Sequence, residues 1–217
     1  MKRVLMIGLL WVLVGVVACG PITQPTPSGD LAALLTDAKS ALDAHNPDTA
    51  ITILQQALKM DANSTEAHFM LGNAYAQKGM LSQAESEYLA VLRLNENDVD
   101  ARSNLGVVYY QEQKLPEAEK AFRAALALKS DDAEIHYNLG GVLAALNRLN
   151  EAEVEFLKAK ELDPSLAEVY LGLGSVYKTQ GRKEEAVAAL KEFLQRAQDP
   201  TWISQAEQWL GELGAKP

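Results

Sequence analysis

The sequence predicts an all-α solenoid of paired helices, and three observations carry that reading. Gly72, Gly106, Gly140 and Gly174 stand 34 residues apart, and Ala50, Ala84, Ala118, Ala152 and Ala186 keep the same step at a second offset. Leu71, Leu105, Leu139 and Leu173 precede the glycines, while Tyr75, Tyr109 and Tyr177 follow three residues after them. Between these markers the apolar residues recur at helical spacing, with a turn near the middle of each unit. A fixed period of this length means that each unit buries its apolar face against its neighbours, so the core is linear.

The stretch from Val99 to Asp132 shows the unit most plainly. Ala101, Leu105, Val108 and Tyr109 share one face of a first helix, Ala118, Phe122, Ala125 and Leu126 share one face of a second, and Gln113 to Pro116 joins them. Gly106 costs the first helix about 1 kcal/mol relative to alanine, which close helix contact would offset. Ala118 is the small residue expected to meet it across the turn. The equivalent glycines are expected to face the partner helix of the preceding hairpin.

These residues resemble the tetratricopeptide repeat family. The resemblance covers Leu31 to Pro200 as five units, 31–64, 65–98, 99–132, 133–166 and 167–200, and implies a right-handed superhelical solenoid of five helix pairs. The first unit is atypical, as end repeats are: Asp37, Ala38 and Ala41 replace its leucine, glycine and tyrosine, while Asn46-Pro47 supplies a cap and a first-turn proline. Ser82 with Glu85, and Asn150 with Glu153, have the spacing of capping boxes. Gly140-Gly141 doubles the glycine penalty in one helix, which marks that helix as locally the least stable. In the fifth unit Leu190 takes the aromatic position and Phe193 a small one, a roughly volume-conserving exchange. After Asp199-Pro200, Trp202, Ala206, Trp209, Leu210 and Leu213 mark the apolar face of a capping helix within 201–217. Ser204, Gln205, Glu207 and Glu212 mark its polar face. Both tryptophans are expected in the core, a docking surface being the alternative.

The chain has 217 residues and a net charge of -9. Setting Lys2 and Arg3 aside, its 20 basic residues fall to 18 against 29 acids, a balance that argues against nucleic acid as a partner. Residues 1–18 combine a basic start with an uncharged run from Val4 to Ala18, which suits a signal peptide; an uncleaved anchor, which usually needs about 20 apolar residues, is the alternative. Val16-Val17-Ala18-Cys19 resembles a bacterial lipobox. The resemblance implies diacylglycerol on Cys19 through a thioether, and two or three acyl chains are enough for stable anchoring. Gly20 occupies the position where an aspartate would retain the protein on an inner membrane, so the outer membrane is implied if the organism has one. Residues 19–30 then read as a Pro- and Thr-rich tether reaching up to roughly 30 Å.

No phosphate loop, paired cysteines or acid, base and nucleophile constellation is legible, so neither catalysis nor a cofactor is expected. His68 and His136 share one unit offset and are expected to pack between helices rather than hold a metal. His45 lies in a turn without a visible partner. In the resembling family, ligands bind the concave face of the first helices. Those offsets place Glu66, Phe69, Asn73, Asp100, Ser103, Tyr110, Glu134, Tyr137, Glu168 and Lys178 at one groove, with Asn104 and Asn138 at its wall. Asn73 and Asn104 match the asparagines of the family's C-terminal-carboxylate clamp, but Phe69, Glu134 and Asn138 stand where its basic residues belong, so that clamp should be absent. The expected partner is a protein or peptide of the cell envelope. A lipid-anchored interaction scaffold or adaptor is the first reading; an assembly factor for an envelope complex, such as a type IV pilus or its secretin, is the alternative.

Overall fold

The computed structural model describes residues 30–216. The expected signal peptide (1–18), the expected lipidation site Cys19 and the expected tether up to residue 29 lie outside the described residues. Eleven helices and no strand occur among those described. The first helices of the five pairs are α1 (Leu31–Asp43), α3 (Thr65–Gln77), α5 (Val99–Gln111), α7 (Ala133–Ala145) and α9 (Ala167–Thr179). Their partners are α2 (Pro47–Met60), α4 (Leu81–Leu94), α6 (Leu115–Leu128), α8 (Leu149–Leu162) and α10 (Lys183–Leu194), followed by α11 (Pro200–Glu212). No described helix is long and apolar enough to cross a membrane.

Each first helix starts where a short polar side chain can accept its free amides. Asp30, Ser64, Asp98 and Asp132 accept from Ala32, Ala67, Ala101 and Ile135; Leu166 leaves α9 without such a cap. The turn into each second helix is also periodic. His45, Gly79, Gln113, Asn147 and Gly181 all take positive φ, between 52° and 74°. This left-handed residue lets the chain reverse, and the next amide then bonds back five residues, as Met80 does to Tyr75 and Lys114 to Tyr109. The position explains His45, whose conformation rather than its imidazole serves the fold.

The recurring glycines meet large side chains, which corrects the expectation for Gly106. A Cβ on Gly72 would lie 2.7 Å from the Tyr88 ring, on Gly106 2.9 Å from Phe122, on Gly140 2.7 Å from Phe156 and on Gly174 2.7 Å from Leu190. The neighbour is therefore the bulky residue 16 positions on, in the second helix of the same hairpin, and not Ala118 or the preceding hairpin. A large side chain needs more room than an alanine does, and only glycine leaves it. Gly172 does face the preceding hairpin, at 2.8 Å from Phe156. Gly141 has no atom within 4 Å of its Cβ position, and α7 runs through it without a break.

The expected capping boxes do not form. Met80 and Arg148 are the N-caps of α4 and α8, two residues earlier than caps at Ser82 and Asn150 would require, and neither gives a side-chain cap. Glu85 and Glu153 reach the next repeat instead, and Glu119 joins them in a periodic row. Glu85 accepts from Lys114 at 3.0 Å, Glu119 from Arg148 at 2.7 Å and Glu153 from Arg182 at 2.5 Å. Asp48 binds Lys78 at the first junction, and Asn150 accepts from Gln180 at 3.0 Å at the last. Partly exposed pairs contribute about 0.2–1 kcal/mol each, so these links fix register more than they add stability.

The fourth residue of each first helix from α3 onward donates to a carbonyl six residues back: His68 to Ala62, Arg102 to Glu96, His136 to Ser130 and Tyr170 to Pro164. His68 and His136 also hold Glu87 and Glu155 of the paired helix, each at 2.6 Å. A backbone carbonyl can only accept, so in each ring it is Nε2 that carries the hydrogen at that contact. The two histidines thus contact the neighbouring helix as expected, but through polar atoms.

At the C-terminal end Ala206 and Leu210 are buried against Phe193, Leu190 and Tyr170, and Trp209 and Leu213 pack at the edge of this cluster. Phe193 thus fills the space that the smaller Leu190 leaves, and closes onto α11. Trp202 departs from expectation. It is 51 % exposed and stays outside the cluster that takes Ala206, Trp209, Leu210 and Leu213.

Candidate functional site

First helices line one face because they contact each other along the array: α1 touches α3, α5 touches α7, and α7 touches α9. Between α3 and α5 the approach is looser, and there an open cavity of about 570 Å³ lies at the junction of α1, α3 and α5. Glu66, Phe69, Asn73 and Asn104 line it, together with Lys39, Leu42, Met70 and Val107. The Asn104 amide nitrogen donates to the Asn73 oxygen at 3.1 Å, and the Tyr88 hydroxyl donates to the same oxygen at 2.7 Å. This three-way contact fixes both amides across a repeat junction. It leaves the Asn73 nitrogen and the Asn104 oxygen without a partner among the described residues, one donor and one acceptor on side chains that line the cavity. Burial pushes the Tyr88 phenol well above the ordinary tyrosine range, so it stays a neutral donor.

Phe69 leans on Tyr88 with ring centres 6.0 Å apart, and Tyr137 leans on Phe156 at 5.8 Å. Each presents a half-buried ring whose back is held by a core aromatic, which fixes it without spending further side-chain freedom on binding. Tyr137, Tyr110 and Asn138 line a second cavity of about 110 Å³ with Val107, Phe122 and Gly141. Burial, then the charge of Glu168 and the neighbouring Tyr110, raise the Tyr137 phenol.

The remaining predicted groove residues are distributed differently. Glu168 also lines a separate cleft with Arg196 and Trp202 at the end of the stack. Lys178 is engaged by α11: its ammonium binds Glu212 at 2.9 Å and lies 5.7 Å from the Trp209 ring centre. That removes it from the free groove, since the closing helix covers the last first helix. Asp100, Ser103 and Glu134 occupy the same face but line neither cavity. Val107 and Gly141, which the sequence reading passed over, are the residues one and two repeats after Asn73, so the same 34-residue step would have found them. No cluster of three or more His, Cys, Asp or Glu side chains able to hold a metal occurs among the described residues.

Profiles of the tetratricopeptide repeat match residues 41–105, 81–133, 104–167 and 167–200. The chain belongs to the tetratricopeptide repeat family. Its structure is similar to that of MamA (residue 41 to end) from Desulfovibrio magneticus RS-1, at 24% identity over 83% of this chain and 97% of that one, with a TM-score of 0.66. It is also similar to YrrB, described as a TPR protein with an unusual peptide-binding site, at 23% identity over 82% and 92% and a TM-score of 0.65. A third relative in fold is TTC0263, a thermophilic TPR protein of Thermus thermophilus, at 20% identity over 83% and 99% and a TM-score of 0.68. A search among curated proteins gave no match. At these identities the structural likeness carries the fold alone, and the family carries the general role of a protein-interaction scaffold.

Proposed function

We propose that this tetratricopeptide repeat protein is a lipid-anchored adaptor of the cell envelope, which binds a peptide segment of another envelope protein along its first-helix face. The observation that carries the binding half is the cavity at Phe69, Asn73 and Asn104, where a braced ring borders a free amide donor and a free amide acceptor. An extended peptide presents both hydrogen-bonding groups on its backbone and can lay a side chain on the ring. The lipid half is supported by the lipobox-like run that ends at Cys19.

Crosslinking in membranes with the full chain, followed by pull-down, tests both halves. A Phe69→Ala, Tyr137→Ala double variant that keeps its helical circular dichroism is expected to lose the partners the parent captures; unchanged capture would remove the groove from the proposal. Mass spectrometry of the mature N-terminus is expected to find acyl chains on Cys19, and an unmodified thiol behind Met1 would remove the anchor. Loss of secretin multimers on deletion of the gene would favour the assembly-factor reading, and unchanged multimers would remove it.

A further inference from the structure

The second residue of α3, α5, α7 and α9 is Glu66, Asp100, Glu134 and Glu168, one exposed carboxylate per repeat. A first-turn acid is favoured by the helix dipole, which accounts for the sign at each position. It does not account for the lack of an ion pair at any of them, although Lys129, paired with Asp132, is within electrostatic reach of Asp100. Glu85, Glu119 and Glu153 on the second helices all find a basic partner, whereas among the described residues none of these four meets Lys, Arg or His within ion-pair distance. Glu66 lines the larger cavity beside Phe69, where Asp43 and one base, Lys39, also line it and leave the acids in excess, and Glu168 is close enough to Tyr137 to raise its phenol. A row of unpaired negative charge therefore follows an apolar and aromatic floor.

We propose that the occupant of this groove is an extended, cationic segment of a partner protein, with basic residues about three apart and one aliphatic side chain seated over Gly141. This rests on the peptide-binding reading above and names the chemistry of that peptide. First helices in contact stand roughly 8–10 Å apart, and the looser step from α3 to α5 is wider, which the open cavity there accommodates. An extended chain rises about 3.3 Å per residue, so every third residue advances by about one helix spacing, as a carboxylate in each repeat requires. The charges set register and speed of encounter, and the same row repels acidic tails. Gly141 supplies the seat. A glycine inside a helix costs about 1 kcal/mol, and unlike Gly106 this one faces no side chain that would need the room. What it leaves open is the cavity of about 110 Å³ walled by Tyr110, Phe122, Tyr137 and Asn138, a volume that suits one aliphatic side chain.

The test uses the full chain in mild detergent and the fluorescence anisotropy of three labelled dodecapeptides: lysine at every third position with leucine and serine between, the same peptide with glutamate for lysine, and the same composition with its lysines in one block. The spaced lysine peptide is expected to bind about tenfold more tightly than the blocked one, and the glutamate peptide not at all. Glu66→Gln, Asp100→Asn, Glu134→Gln together are expected to weaken it about tenfold. Glu117→Gln, Glu184→Gln, Glu207→Gln together make the same charge change on exposed positions of other helices and are expected to change it by less than about twofold. Gly141→Leu is expected to weaken the spaced peptide with its melting temperature kept. Equal weakening by the two triple variants, or equal binding of the blocked peptide, would overturn the proposal. If no lysine peptide binds while Phe69→Ala, Tyr137→Ala still abolishes partner capture, the cationic ligand is wrong and the groove stands; if capture survives that double variant, the groove itself is wrong.

Discussion

Gly106 lies against the ring of Phe122, whose Cε1 would stand 2.9 Å from a Cβ on the glycine. Both residues are buried in the middle repeat, and Phe122 sits in a filled core cluster with Ala118 and Ala125, so its ring has little room to give way. Gly106→Ala is therefore expected to destabilise the fold by about 1–3 kcal/mol, the range for overpacking a filled core. Gly141→Ala, which meets open space, is expected to stabilise it by about 0.5–1 kcal/mol. Urea unfolding midpoints of the two variants should move in opposite directions; a shared direction would disprove the assignment of the two glycines.

The link between Glu119 and Arg148 joins α6 to the turn before α8, and Arg148 also holds Glu151. A double-mutant cycle of Glu119→Ala and Arg148→Ala should give a coupling of about 0.5–1 kcal/mol, smaller in high salt because Arg148 is partly exposed. Zero coupling at low salt would show that this row does not fix register.

His68 spans two acceptors, the Glu87 carboxylate and the Ala62 carbonyl. His68→Phe keeps a ring but strands both, and a loss of about 1–3 kcal/mol is expected in equilibrium unfolding. Adding Glu87→Leu should recover part of that loss, since the stranded carboxylate goes with it. No recovery would place the cost in packing instead.

Asp199 caps α11 by accepting from the Thr201 and Trp202 amides, and these bonds hold its carboxyl below the ordinary aspartate range. The folded chain then binds this proton more weakly than the unfolded chain. The cap's contribution is complete above the unfolded value of about 3.9 and is lost as pH falls through the lower folded value. Asp199→Asn retains an acceptor without that titration, so tryptophan fluorescence followed from pH 6 to pH 2 should show a shallower loss of α11 docking in the variant than in the parent. Superimposable curves would exclude Asp199 as a contributor.

Trp202 and Leu210 lie on the same helix with opposite surroundings. Trp202→Ala is expected to change stability by less than about 0.5 kcal/mol, and Leu210→Ala to cost about 2–5 kcal/mol. Thermal unfolding distinguishes them; a large loss for Trp202→Ala would mean that its ring is held more firmly than its exposure indicates.

Much of the fold was legible because packing repeats every 34 residues: the first helices begin at Leu31, Thr65, Val99, Ala133 and Ala167, where the periodicity puts the unit boundaries. Contacts between units were harder to read. Ser82 with Glu85 fits a capping box by spacing, but the left-handed residue at Gly79 starts the second helix at Leu81 and frees Glu85 to reach Lys114. Spacing along one helix carries no information about a partner in the next hairpin. Trp202 was misplaced for a related reason, since an apolar stripe does not show which of its residues the neighbouring hairpin covers. At the groove, the step that locates Asn73 also reaches Val107 and Gly141, but their lack of polar atoms hid them from a reading that looked for chemistry.

The row from Glu85–Lys114 through Glu119–Arg148 to Glu153–Arg182 makes the interior hairpins interchangeable at their seams. A duplicated copy of residues 99–132, inserted in frame, would offer its own Lys114 to the original Glu119 and its own Glu119 to Arg148. Reach can therefore be reset one module at a time, as on a ruler, without inventing a new joint.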